Sequence, residues 1–233
     1  MGPQASCELY RLINLISIQE FHATKNSDFP HVLINSIPVS DLISDTQKRD
    51  DTVRLVNKGA QALCRAGATD LMLACNTMHA FSDEITKNVK CRFHSMIDIV
   101  IRALKKKKIR KALILSTRTT IKTNLYQDAL DKAGIGYCLP EKKLLDISVR
   151  NILKFISGKF TPDDERKYIQ LVIKEAKKHP DIDTILLACT EMPLIVSKII
   201  PNYNKISSLE ETARAACNLY FNSAVCKGAK AFK

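Results

Sequence analysis

The chain has 233 residues, 45% hydrophobic and 26% charged, with a net charge of +12. That length fits one large domain or two small ones. No apolar run approaches the roughly 20 residues of a membrane span, and no basic segment leads into an unbroken apolar stretch at the N-terminus, which excludes a span and a signal peptide and points to the cytoplasm.

Taken in chain order, the periodicity predicts alternating helices and strands. Residues 8–19 carry Leu9, Leu12, Ile13 and Ile16 at helical spacing. Residues 31–37 read as a buried strand ended by Pro38. A helix follows over 50–66, with Val53, Val56, Ala60 and Leu63 on one face and Gly67 as its stop. Strand 70–74, helix 78–88, strand 92–96, helix 99–107 and strand 111–115 come next. The second half continues with helices over 119–133, 146–157 and 162–178, a strand over 184–188, a helix from about 191 and a last helix over 208–221. Thr161-Pro162-Asp163-Asp164 supplies an N-cap, a proline at the first helical position and early acids. Ser208 and Glu211 have capping-box spacing.

Strands separated by helices imply an α/β fold with parallel sheets flanked by helices. The expected division is a first lobe over 1–97, with helix 208–226 packing back on it, and a second lobe over 98–207.

Cysteines stand at 7, 64, 75, 91, 138, 189, 217 and 226. In a chain of this length without a secretion signal they read as reduced thiols. The densest cationic run, Lys105 to Lys108, has no interleaved aromatic residue, and the chain has no Trp. It therefore reads as a solvated helix end, not as a nucleic-acid surface. The overall positive field favours a small anionic substrate.

Two segments rhyme. Leu71-Met72-Leu73-Ala74-Cys75-Asn76-Thr77-Met78-His79 and Ile185-Leu186-Leu187-Ala188-Cys189-Thr190-Glu191-Met192-Pro193 each run from an apolar strand through Ala-Cys into groups that suit a helix start. Ligands bind at the carboxyl edges of parallel strands, and an electropositive helix start lowers a thiol pKa. Two such thiols, one per half, suit removal of a proton from one face of a carbon and delivery of a proton to the other. Donors around the substrate carboxylate would stabilise the carbanion between the two steps.

Competing chemistry is thinner. Cys75 and His79 share a helical face, but no second Cys/His pair completes a zinc set, so no metal is expected. A single-thiol hydrolase would need His79 as its base. Phosphate loops and nucleophile elbows are missing, and Gly134-Ile135-Gly136 meets Leu139 where a dinucleotide fingerprint needs a third glycine.

These residues resemble the aspartate/glutamate racemase family of cofactor-independent amino-acid racemases. The two Ala-Cys segments carry the likeness most strongly, joined by Met1-Gly2-Pro3-Gln4-Ala5-Ser6, Ile37-Pro38 and Ser95-Met96-Ile97. The resemblance implies two pseudosymmetric α/β lobes with the site between them, Cys75 and Cys189 as acid/base thiols, no pyridoxal phosphate, and a homodimer. It also implies substrate contacts from Met1, Gly2, Ser6, Asn76, Thr77, Ser116, Thr117, Thr190 and Glu191, and an aspartate or glutamate substrate. Two departures stand out. The family carries a strand and a Gly-Gly pair before its Met-Gly-Pro segment, whereas this sequence starts at Met1 of that segment, so a first lobe without its opening strand is expected. Where acidic-substrate members carry an Arg after their Pro-x-x-Asp stretch, this chain has Leu42, which leaves Lys159 or another basic residue to meet a distal carboxylate. A hydrolase or decarboxylase on the same scaffold, and a catalytically impaired small-molecule binder, are the alternative readings.

Overall fold

The computed structural model describes residues 2–42, 48–197 and 200–223. Its central feature is a four-stranded parallel sheet in the order β4-β3-β5-β6. The strands are β3 (Lys111–Leu115), β4 (Gly136–Cys138), β5 (Thr184–Leu187) and β6 (Asn204–Ser207). β3 and β5 are central and apolar, as strands covered on both faces must be. Their side chains alternate. Leu113, Leu115, Ile185 and Leu187 enter one core with α7 (Lys142–Ile156) and α8 (Pro162–Ala176). Ala112, Ile114 and Leu186 enter the opposite core with α4 (Met96–Lys106) and α6 (Gln127–Ala133). The expected division at 97/98 falls inside α4.

The second sheet pairs β1 (Asp70–Met72) with β2 (Arg92–His94) in parallel, Leu71 opposite Phe93. Helix α2 (Arg49–Arg65) packs Val53 and Val56 with Leu73, and Gly67 past its end has φ +96°. α1 (Pro3–Phe21) starts well before the expected 8–19, with Pro3 at a position where a missing N–H costs nothing. It packs Ile13 and Ile16 against Ala213 and Cys217 of α10 (Ser208–Phe221), which also touches α4. Residues 224–226 of the expected last helix lie outside the described residues.

Several expectations change. Residues 31–37 form no strand. Leu33 and Ile34 are exposed, and a cavity of about 460 Å³ separates this stretch from the edge of β1 that β2 does not cover. Backbone without a partnering edge cannot be assigned to a sheet, whatever its apolar content. The expected helix 78–88 is a 3-10 turn (Thr77–Phe81) and a single turn, α3 (Ser82–Ile85). The expected helix 119–133 breaks into α5 (Arg118–Lys122) and α6, with Asn124 at φ 51° between them. β4 and β6 gave no clear pattern because they are short and lie at the sheet edges. The sulfurs of Cys64 and Cys91 are in direct contact, within reach of a disulfide, where eight separate thiols were expected. The α8 cap is as expected, with Thr161 and Asp164 in a reciprocal capping box. The cationic run closes α4, and Lys107 pairs with Glu211.

Candidate active site

The register of the large sheet builds half of the site. Leu115 pairs with Leu187, and the N–H of Ala188 donates to the Leu115 carbonyl at 2.8 Å. Ser116-Thr117 and Ala188-Cys189 therefore leave the sheet side by side. β1 leads to Cys75 in the same way, so both Ala-Cys segments end at carboxyl edges. Cys75, Cys189, Gly2, Asn76, Thr77, Thr117, Thr190 and Glu191 all line one narrow cavity of about 40 Å³.

Each thiol meets peptide N–H groups, those of Met78 and Thr77 at Cys75 and that of Glu191 at Cys189. These contacts favour the thiolates, but they do not win. Burial, followed by the charge of Glu191, pushes the Cys75 thiol up to about 11. The same causes hold Cys189 well above the ordinary thiol value. Burial and Glu191 outweigh the expected lowering by helix starts, and the elements that follow the thiols are short, a 3-10 turn and the four-residue α9 (Met192–Ile195).

Glu191 ties the second motif together. Its Oε2 accepts from Cys189 Sγ at 3.1 Å and from Thr190 Oγ1 at 2.9 Å. Its Oε1 lies so close to Gly2 that a Cβ there would sit 2.7 Å away. Glycine is the residue that leaves room for this carboxylate.

Both ends of the Asn76 amide are engaged. Its Oδ1 accepts from Tyr126 OH at 2.6 Å and its Nδ2 donates to Ser208 Oγ at 2.9 Å. Ser207, one residue earlier than expected, caps α10, which frees Ser208 for this bond. Thr77, Thr117 and Thr120 bring three hydroxyls within 3.0–3.1 Å of one another across the two sheets.

His79 is not a free base. The N–H of Met96 donates to its Nε2 at 3.0 Å, so Nδ1 carries the proton and donates to the Cys75 carbonyl at 2.8 Å. Burial holds the ring neutral, with its pKa lowered to about 4.

Three expected contacts do not reach the cavity. Ser6 faces the other cavity, beside β1, and its hydroxyl donates to the Gly2 carbonyl. Ser116 is buried behind the wall, and its hydroxyl donates to the Thr117 carbonyl. Lys159 is exposed beyond α7 and is not part of the lining. Met1 lies outside the described residues. Sequence reasoning missed Val39, Met78 and Ile156 as lining residues, and Thr120 and Tyr126 as supports. Met78 lies inside the first Ala-Cys segment, and the others have no motif that would have exposed them. Among the described residues, no group of three or more His, Cys, Asp or Glu side chains is arranged to hold a metal ion.

A sequence model described as Asp/Glu/hydantoin racemase matches residues 1–216. The broad specificity amino-acid racemase RacX of Bacillus subtilis is 23% identical over 220 residues, covering 94% of this chain and 95% of that protein. The aspartate racemase of Picrophilus torridus superposes with a TM-score of 0.74 at 27% identity, over 93% of this chain and 89% of that one. An aspartate racemase homologue from Pyrococcus horikoshii gives a TM-score of 0.76 at 24% identity, over 93% and 94% of the two chains.

Proposed function

The chain belongs to the Asp/Glu/hydantoin racemase family, and from that premise we propose that it inverts the α-carbon of a free amino acid with two thiols and no organic cofactor. The observation that carries the reading is the convergence of Cys75 and Cys189, from different sheets, on one cavity.

In each direction one cysteine acts as thiolate and takes the α-proton, becoming a thiol. The opposite thiol gives its proton to the other face of the carbanion and becomes the thiolate. The two exchange roles at each turnover, and no net proton is gained or lost. Both thiols titrate above neutrality in the closed site, so a thiolate must be made. Glu191 is the group positioned to receive the Cys189 proton, through the 3.1 Å contact. The peptide N–H groups of Thr77 and Met78 would stabilise a thiolate on Cys75. Thr77 and Thr117, the two members of the hydroxyl cluster that line the cavity, would turn their hydroxyls to the substrate carboxylate. The closed cavity is smaller than an amino acid, so the site must open for substrate to reach the thiols.

A single-thiol hydrolase fits less well, because both ring nitrogens of His79 are committed to the backbone. The deciding experiment incubates both enantiomers of a panel of amino acids in deuterium oxide. The wild-type chain is expected to incorporate α-deuterium with inversion. Cys75→Ala and Cys189→Ala should each lose racemisation by about 10²–10⁴-fold, the usual worth of a positioned acid or base. Racemisation at full rate by either variant would overturn the two-thiol mechanism.

A further inference from the structure

The charges around the thiols conflict with those of the molecule as a whole. The chain is strongly basic, yet the charged side chains lining the cavity are the carboxylates of Asp41 and Glu191. No Lys or Arg lines it among the described residues. Its remaining walls include Val39, Leu42, Met78 and Ile156. Leu42 is buried in the apolar cluster that also holds Met78 and Val53, and it offers no donor.

Two cations on neighbouring elements are committed elsewhere. Arg118, at the start of α5, pairs with Asp146 at 2.6 Å. Arg49 binds Asp50 and Glu84 and lies over the Phe81 ring. A second carboxylate on the substrate would lose its water, find no cation among the described lining residues and face the negative charge that Glu191 and Cys189 share, with Asp41 at the exposed rim. Unpaired burial of a carboxylate and like-charge contact both disfavour binding. An apolar side chain would meet Val39, Leu42, Met78 and Ile156 at no such cost.

We infer that the substrate of this chain is an amino acid with an uncharged, apolar side chain, not aspartate or glutamate. The inference rests on the racemase reading and narrows it to one chemical class.

The test compares kcat/KM for α-deuterium exchange among alanine, leucine, methionine, aspartate, glutamate and lysine, using the full chain with Cys189→Ala as the control. The apolar amino acids should exceed both acidic ones and lysine by at least about tenfold. Two variants then change the wall charge. Ser40→Arg adds a cation at an exposed lining position, and Asp41→Asn removes a repelling charge. Each should raise the aspartate-to-alanine ratio by roughly tenfold, with Ser40→Arg the stronger. Preference for aspartate, glutamate or lysine by the wild-type chain would overturn the inference and leave the racemase reading standing. Exchange with none of the panel or of the other common amino acids, with wild type equal to control, would overturn both.

Discussion

The thiol of Cys189 donates to Oε2 of Glu191 at 3.1 Å, and the same carboxylate raises the pKa of both cysteines at the site. On the two-thiol reading proposed above, one side chain would both receive a proton and oppose the charge its removal creates. Glu191→Gln should separate these effects. Loss of the negative charge should move ionisation of Cys75 below its value of about 11 and bring Cys189 down with it. Alkylation followed by peptide mass spectrometry, pH by pH, reads each thiol separately. Racemisation should nevertheless fall by about 10²-fold, because the proposed proton acceptor would be gone. Unchanged alkylation profiles would mean that Glu191 does not govern the thiols.

Gly2 gives a second view of the same carboxylate. A Cβ at residue 2 would come within 2.7 Å of Glu191 Oε1, and the nearest atom belongs to a flexible side-chain end. Gly2→Ala should therefore cost little stability, about 0.5 kcal/mol or less. It should lower kcat by roughly tenfold by pushing Glu191 away from Cys189, since small misplacements of reacting groups are expensive. Denaturant unfolding and steady-state kinetics measure the two effects. A large stability loss with normal kcat would place the role of Gly2 in folding instead.

What the sequence revealed of the site was the part written as local pattern. Apolar run, Ala-Cys and helix-start residues recur in both halves, and β1 and β5 carry them to the cavity as that pattern implies. Gly2 and Thr117 also reach the lining. What stayed hidden depends on contacts distant in sequence. Tyr126 reaches Asn76 across 50 positions, and Ser208 reaches it across 132. Residues 31–37 have strand composition, but pairing is decided by the neighbouring edge, which local sequence does not contain. The thiol pKa values went the opposite way from the helix-start argument because burial and a neighbouring carboxylate are tertiary properties.

His79 gives the fold a pH dependence. Its ring, which titrates near 6.5 when exposed, is held to about 4 by burial. Between those values the unfolded chain binds the extra proton, so this contribution is whole above pH 6.5 and is lost as pH falls toward 4. The full span corresponds to ~3 kcal/mol. Urea unfolding at pH 7, 6 and 5 should show stability declining, and His79→Gln should decline less steeply over the same interval. Equal slopes for the two proteins would remove His79 as the source.

The Tyr126–Asn76 bond tests whether the first motif is held in place from the second half of the chain. Tyr126 OH is buried and donates to Asn76 Oδ1 at 2.6 Å, while Ser208 takes the amide of the same side chain. Tyr126→Phe keeps the ring in its apolar cluster with Leu130 and Ile114 but leaves a buried carbonyl oxygen without that donor. The cost should be about 1–3 kcal/mol, read from denaturant midpoints. Asn76 adjoins Cys75, so the variant should also lower kcat while KM changes less, because the loss concerns placement of a reacting group. Adding Ser208→Ala should give less than the sum of the separate losses, since both partners restrain one amide. Strict additivity, or a normal kcat in the destabilised protein, would mean that Asn76 supports the fold without positioning the thiol.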